Sequence, residues 1–233
     1  MNMNPQNIAV IGASGAIGSA FTKLLSEKYP NACLHAFSRG GEHRIDYDSE
    51  ESFAAAADTA SKDGPLDMVI VANGMLQDGD IIPEKSLREL SAEKFQRVFE
   101  VNTITPALVA KYFLPKLNKN QTSVFAVLSA RVGSISDNRL GGWYAYRASK
   151  AALNMIIKNA AIEVAKRNKQ AIIVGLHPGT VDSDLSKPFQ GNVPEDKLFT
   201  PEYSAQKLLC VLEKLTPSHS GKCFAWDGEE ILP

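Results

Sequence analysis

No stretch of this chain approaches the roughly 18 consecutive apolar residues of a bilayer-spanning helix, so no transmembrane segment is expected. Charge of one sign is lacking as well: 25 Lys and Arg face 26 Asp and Glu, with a formal net charge of −1 and no basic block. A nucleic-acid or membrane-surface partner therefore has no electrostatic support. Cysteine is scarce and odd in number. Cys33, Cys210 and Cys223 sit in apolar stretches at unrelated spacings, which predicts reduced, buried thiols and a cytoplasmic address. His35, His43, His177 and His219 have no ligand spacing, so no metal site is expected. The polar, uncharged start, Met1-Asn2-Met3-Asn4-Pro5-Gln6-Asn7, has the composition of neither a signal nor a transit peptide. Internal repeats, low-complexity tracts and linkers are missing too. Residues 1–233 thus read as a single domain, long enough to bury roughly three-quarters of its unfolded surface.

What is present is an alternation of β-rich runs and amphipathic helices. The runs are Asn7–Gly12, Ala32–Arg39, a short one near Arg44–Tyr47, Leu66–Ala72, Ser123–Ala130, Ala171–His177 and Lys222–Trp226. Several are apolar throughout, as strands of a parallel sheet covered on both faces must be. Helical spacing follows over Ala16–Tyr29, Ala92–Val101, Ala107–Asn118, the run through Tyr146 to Val164, and Tyr203–Leu215. Ser86-Leu87-Arg88-Glu89 fits a capping box ahead of the second of these. The alternation predicts an α/β fold: a doubly wound, mainly parallel seven-stranded sheet of the Rossmann type, helices on both faces.

The first strand enters Gly12-Ala13-Ser14-Gly15-Ala16-Ile17-Gly18 and then a helix, the context of a dinucleotide site. Gly12 allows the tight turn and Gly18 allows close helix–sheet packing, while the helix start offers free N–H groups to phosphate. Gly12, Ser14, Gly15, Ala16, Ile17 and Gly18 are the candidate phosphate-side contacts. The second strand ends in Ser38-Arg39 with no acid between His35 and Gly41, which favours NADP(H) over NAD(H). Asp46 and Tyr47 are candidates to border the adenine.

Tyr146 and Lys150 stand four apart in a helical context and so share one helix face. A phenol of pKa near ~10 is a poor acid–base group at neutral pH, and an adjacent ammonium lowers that value. The pair predicts a general acid/base on Tyr146 tuned by Lys150.

With the loop, the element order and Tyr146-x-x-x-Lys150 together, the chain resembles the short-chain dehydrogenase/reductase family over essentially its whole length. The runs Gly142–Asn154 and His177–Phe189 are most similar to its C-factor-like reductases. The resemblance implies that Ala72, Asn73 and Gly74 border the cofactor, with Asn73 displaced from the family's usual asparagine position. It implies that Asn102 holds a water in a proton relay, and that Pro178, Gly179 and Val181 lie beside the nicotinamide. Gly15-Ala16 shifts the family's middle glycine by one position. Aligned through Gly133, the serine that orients the substrate carbonyl falls on Ala130; Ser129 is the candidate for that role, with Ser134 the alternative. The implied reaction is hydride transfer between NADP(H) and a small-molecule carbonyl or alcohol, in a homodimer or homotetramer built through the helices around Ala92–Leu117 and Tyr146–Val164. A segment from Asp182 to Thr200 has lid composition, and Arg131, Trp143, Tyr144 and Phe189 are candidates to line the substrate pocket. Ala130 alone favours the competing reading, a cofactor-binding regulator or signalling protein with weak turnover.

Overall fold

The run Met68–Val71 is buried at every position because helices cover both faces of the sheet it crosses. The computed structural model describes residues 4–192, 194 and 197–233; Met1 to Met3 and, in the expected lid, Val193 and residues 195–196 lie outside the described residues. Chain order begins β1 (Asn7–Ile11), α1 (Ala16–Lys28), β2 (Cys33–Ser38), β3 (His43–Arg44), α2 (Glu50–Ala60) and β4 (Met68–Val71). It continues through α3 (Ala92–Phe99), α4 (Thr105–Phe113), β5 (Ser123–Leu128), α5 (Tyr144–Ala165) and β6 (Ala171–His177). The remainder is β7 (Thr180–Val181), β8 (Leu198–Phe199), α6 (Pro201–Leu212), β9 (Cys223–Ala225) and β10 (Glu230–Ile231).

Across the main sheet the order is β10-β9-β6-β5-β4-β1-β2-β3, and every neighbouring pair is parallel except β9–β10. The seven expected strands are the parallel set, and Glu230–Ile231 adds an eighth, antiparallel one at the edge. Thr180–Val181 and Leu198–Phe199 pair separately, tying the two ends of the expected lid together.

Alternation along each strand sends side chains to opposite layers. Ile11, Val69, Phe125 and Ile173 pack against Phe53, Phe113, Leu153 and Ile157 of α2, α4 and α5. Ile8, Ile70, Val124 and Val174 meet Phe21, Leu25, Leu208 and Leu212 of α1 and α6. Each such fully buried side chain contributes on the order of 1.5–3 kcal/mol of transfer free energy.

Three local expectations are corrected. The cap of α3 is Ser91, whose hydroxyl accepts from the Lys94 N–H at 3.2 Å, while Leu87–Glu89 form a 3-10 turn. α3 and α4 are not separate helices: a π-helical turn over Glu100–Ile104 joins them. Of the cysteines only Cys223 is buried, and Cys33 and Cys210 are exposed.

Candidate active site

The loops that leave β1, β4, β5 and β6 lie side by side at the carboxyl edge of the sheet, where strand order reverses between β1 and β4. A crevice at such a switch point is the ligand position of doubly wound sheets. Gly12 turns there with φ 81°, and any Cβ on it would stand 2.8 Å from the Asn73 nitrogen. A Cβ on Gly18 would run into the Gly12 carbonyl, so both glycines are required by close backbone approach. Gly15 is the N-cap residue of α1 and no side chain caps that helix, so its first-turn N–H groups stay available for an anion. Ala16 and Ile17 open the helix.

The resulting cleft, about 420 Å³, is lined by Gly12, Ser14 and Gly15 on one side and by Ala72, Asn73 and Gly74 on the other. Arg39, Asp46 and Tyr47 border the same cleft. Arg39 is exposed and forms no ion pair among the described residues. Burial, the largest influence, raises the Tyr47 pKa, and the nearby Arg39 charge opposes it. Ser38 does not join them: it is buried and its hydroxyl donates to the Gly40 carbonyl, closing the β2–β3 turn. Gln77, Asp78, Arg97 and Glu100 also line the wall, with Arg97 ion-paired to Asp78 at 3.8 Å and to Glu100 at 3.1 Å. These four carried no motif and were missed in the sequence.

The residues present fit a dinucleotide. Besides the two glycines and the Arg39 cation, the buried Asn73 Oδ1 has no hydrogen-bond partner among the described residues. Asn73 Nδ2 donates to the Val101 carbonyl at 2.8 Å, so the displaced asparagine still ties β4's loop to the π-helical turn.

Asn102 is fully buried in that turn. Its Oδ1 accepts from the Met75 N–H at 2.8 Å, and its Nδ2 donates to the Met75 carbonyl at 2.7 Å and to Ser149 Oγ at 3.2 Å. The side chain is thus committed to the backbone past Gly74. Gly74 stands between it and the catalytic candidates: a Cβ there would lie 3.7 Å from Asn102 Oδ1 and 3.8 Å from Lys150 Nζ.

Lys150 is 3% exposed, and its ammonium donates to the Leu128 carbonyl at 2.9 Å. Burial lowers its pKa to about 8. Its nitrogen is 5.9 Å from the centre of the Tyr146 ring. The expected depression of the phenol pKa is not found: burial pushes Tyr146 up to about 12. In this geometry burial favours the protonated phenol. Ser149, unnoticed in the sequence, donates to the Tyr146 carbonyl at 2.8 Å and so links the tyrosine's turn to Asn102.

Ser129, the candidate to orient the substrate carbonyl, is buried. Its hydroxyl donates to Asn154 Oδ1 at 2.6 Å, beneath α5 and beside the buried Cys223 thiol, which burial raises to about 12. Asn154 lies four residues beyond Lys150 on the same helix face, a spacing the sequence already displayed. Ser134 serves its own loop, accepting from the Asp137 N–H at 3.1 Å. Arg131 is ion-paired with Asp137 at 3.5 Å and with Glu229. At the end of β6, His177 is held neutral, its pKa lowered to about 4 chiefly by burial and then by the Arg131 charge. Gly179 turns with φ 78° against the Phe199 and Trp226 rings, and Pro178 accepts from the Ser204 hydroxyl at 2.8 Å. Val181 is buried, and its carbonyl accepts from the Ser186 hydroxyl of the lid segment. None of these three is among the residues that line the 420 Å³ cleft.

Residues 6–193 match the model of the family described as short chain dehydrogenase. The chain belongs to this family. It is a family of oxidoreductases. The 1-hydroxy-2-glutathionyl-2-methyl-3-butene dehydrogenase of Rhodococcus sp. (strain AD45) is 31% identical over 231 residues, 95% of this chain and 96% of that protein. The C-signal of Myxococcus xanthus is 33% identical over 146 residues, 63% of this chain and 82% of that protein. Among solved structures, the NADPH-bound carbonyl reductase from chicken fatty liver superposes with a TM-score of 0.86 at 23% identity, covering 100% of this chain and 96% of that one. The carbonyl reductase Sniffer of D. melanogaster gives 0.83 at 21% identity, over 98% and 99% of the two chains. At such identities these structures establish the shared fold. Among the described residues no helix is long and apolar enough to cross a membrane.

Proposed function

We propose that this family member is an NADP(H)-dependent carbonyl reductase in which Tyr146 is the general acid/base. The observation that carries the reading is the convergence at Gly74: it lines the cleft, and a Cβ on it would lie 3.7 Å from Asn102 Oδ1 and 3.8 Å from Lys150 Nζ. NADPH, when bound, supplies the hydride. Gly12, Ser14, Gly15 and the first turn of α1 (Ala16, Ile17, Gly18) would hold its pyrophosphate. Arg39 would meet the 2′-phosphate, and Asp46 and Tyr47 the adenine side. Pro178, Gly179 and Val181 would flank the nicotinamide. Lys150 would orient the nicotinamide ribose and Asn102 would fix the backbone of Met75 beneath it. Tyr146 would give its proton to the carbonyl oxygen of an aldehyde or ketone as the alkoxide forms. Cofactor-bound neighbours, the chicken liver enzyme among them, support a nicotinamide cofactor, and the free Arg39 supports the phosphorylated one.

The same reading treats residues 1–233 as one catalytic domain, cytoplasmic, with a small-molecule substrate and no nucleic-acid or membrane partner. The groove between α4 and α5, lined by Ala107, Leu114, Ile156 and Val164, supports assembly into a homodimer or homotetramer.

The experiment is an NADPH- and NADH-linked screen across aldehydes, ketones, quinones and secondary alcohols. Turnover with at least one carbonyl, and a preference for NADPH, is expected. One observation favours the second reading, a cofactor-binding protein with weak turnover. Ala130 occupies the serine position, and the Ser129 hydroxyl is engaged by Asn154. Tight NADPH binding with no turnover across the panel would favour it.

A further inference from the structure

α5 begins under strain. Its N-cap residue, Trp143, stands in the left-handed region (φ 50°, ψ 44°), its side chain does not cap the helix, and the first turn holds no acid. Gly141 and Gly142, just ahead, have φ of 63° and 65°. A bulky residue in that region is costly, and a helix start leaves its first N–H groups without intrahelical partners. Tyr146 is the third residue of this turn, and its ring meets the Trp143 ring edge-on with centres 6.2 Å apart.

The missing cap comes from far away in the chain. Glu84 is 2% exposed, and its Oε2 accepts from the Ala145 N–H at 3.2 Å. Its carbonyl accepts from the Trp143 N–H at 2.5 Å. A buried carboxylate with no cation beside it is normally costly, and the positive end of a helix is one of the few places that compensates it. Glu84 has no ion pair among the described residues. The other end of its segment is fastened too, since Met75 gives both backbone groups to Asn102. Met75, Ile81, Val98, Ala145 and Tyr146 then close into one apolar cluster between those two anchors.

We propose that Glu84 is a positioning residue for Tyr146. Its carboxylate holds the first turn of α5 and thereby the phenol, and the segment from Met75 to Glu84 ties that turn to the floor of the cofactor cleft. The proposal rests on the reading of Tyr146 as proton donor.

The test compares Glu84→Ala with Glu84→Gln, which keeps an acceptor oxygen, on the full chain. Three quantities are read: kcat for a carbonyl found in the screen, the NADPH dissociation constant by fluorescence titration, and hydrogen exchange at the amides of residues 144–146. Glu84→Ala is expected to lose kcat by about ten-fold or more, since a small displacement of a catalytic group suffices for that, while NADPH binding stays within about threefold. The amides of 144–146 should exchange faster, with the rest of α5 unchanged. Glu84→Gln should restore kcat and protection to within about threefold of the parent, because the acceptor is kept. If Glu84→Ala does not fold, Glu84→Asp, shorter by one methylene, takes its place with the same expectation. Parent-like exchange and kcat in Glu84→Ala would overturn the proposal, as would Glu84→Gln falling as far as Glu84→Ala. A parent that reduces no carbonyl contradicts the reading of Tyr146 instead, and the exchange difference between the variants still decides what Glu84 holds.

Discussion

Tyr146 and Lys150 carry opposite displacements from one cause, burial: the phenol rises to about 12 and the ammonium falls to about 8. For carbonyl reduction the useful forms are the phenol, a donor, and the charged lysine. The phenol persists across the working range, so the lysine sets the pH dependence. Rate of reduction should hold level below pH 8 and decline as pH rises through it, as Lys150 loses its proton; a pH–kcat profile reads this directly. Lys150→Arg, always charged, should remove the decline whatever its effect on the plateau. Ala130 offers the second residue-scale prediction. Ala130→Ser places a hydroxyl where the proposed reading expects the carbonyl-orienting one, and an oxyanion donor is usually worth 10²–10³-fold. A rise in kcat on the order of ten-fold is expected, with NADPH affinity unchanged. At this scale the sequence displayed the four-residue spacing but not the partners. Whether a hydroxyl serves an oxyanion or a neighbouring asparagine depends on the turn after β5, and Ser129 turned toward Asn154.

Among the elements, the π-helical turn over Glu100–Ile104 does the most to build the site, because it sets Asn102 against Met75 and Ser149. Apolar spacing marked helices on both sides of it, but a single wider turn leaves no trace in a 3.6-residue period. Likewise Ser86 and Ser91 are both serines ahead of a helical run, and only the fold shows that Ser91 caps it. The central strands were legible because burial on both faces demands continuous apolar runs. Asn102→Ala leaves the Met75 N–H and carbonyl buried without partners, each costing about 1–3 kcal/mol. A loss of about 2–6 kcal/mol is therefore expected in urea unfolding. Hydrogen exchange at Met75 should rise more than at β4 itself.

The whole molecule sets its candidate site at the carboxyl edge of the sheet and a polar closure at the amino edge. There the buried Asp67 accepts from the Gln6 N–H at 2.8 Å and the Asn7 N–H at 3.2 Å, and from Asn118 and Gln121 at 2.8 and 2.7 Å. Asp67→Ala should cost about 2–3 kcal/mol in unfolding without changing cofactor specificity, because it unpairs buried donors far from the cleft. The element alternation and the family were legible because glycine loop, alternation and Tyr-x-x-x-Lys recur in a fixed frame. The two-residue strand Glu230–Ile231 was not, since two residues carry no period. Function at this scale rests on one claim, that NADPH in the cleft and the Tyr146 phenol act on the same carbonyl. Tyr146→Phe tests it most directly, through NADPH binding and carbonyl reduction measured on the same preparation. Retained NADPH affinity with reduction reduced at least about a hundred-fold is predicted, the loss expected when the proton donor is removed. Reduction at the parent level would contradict the account.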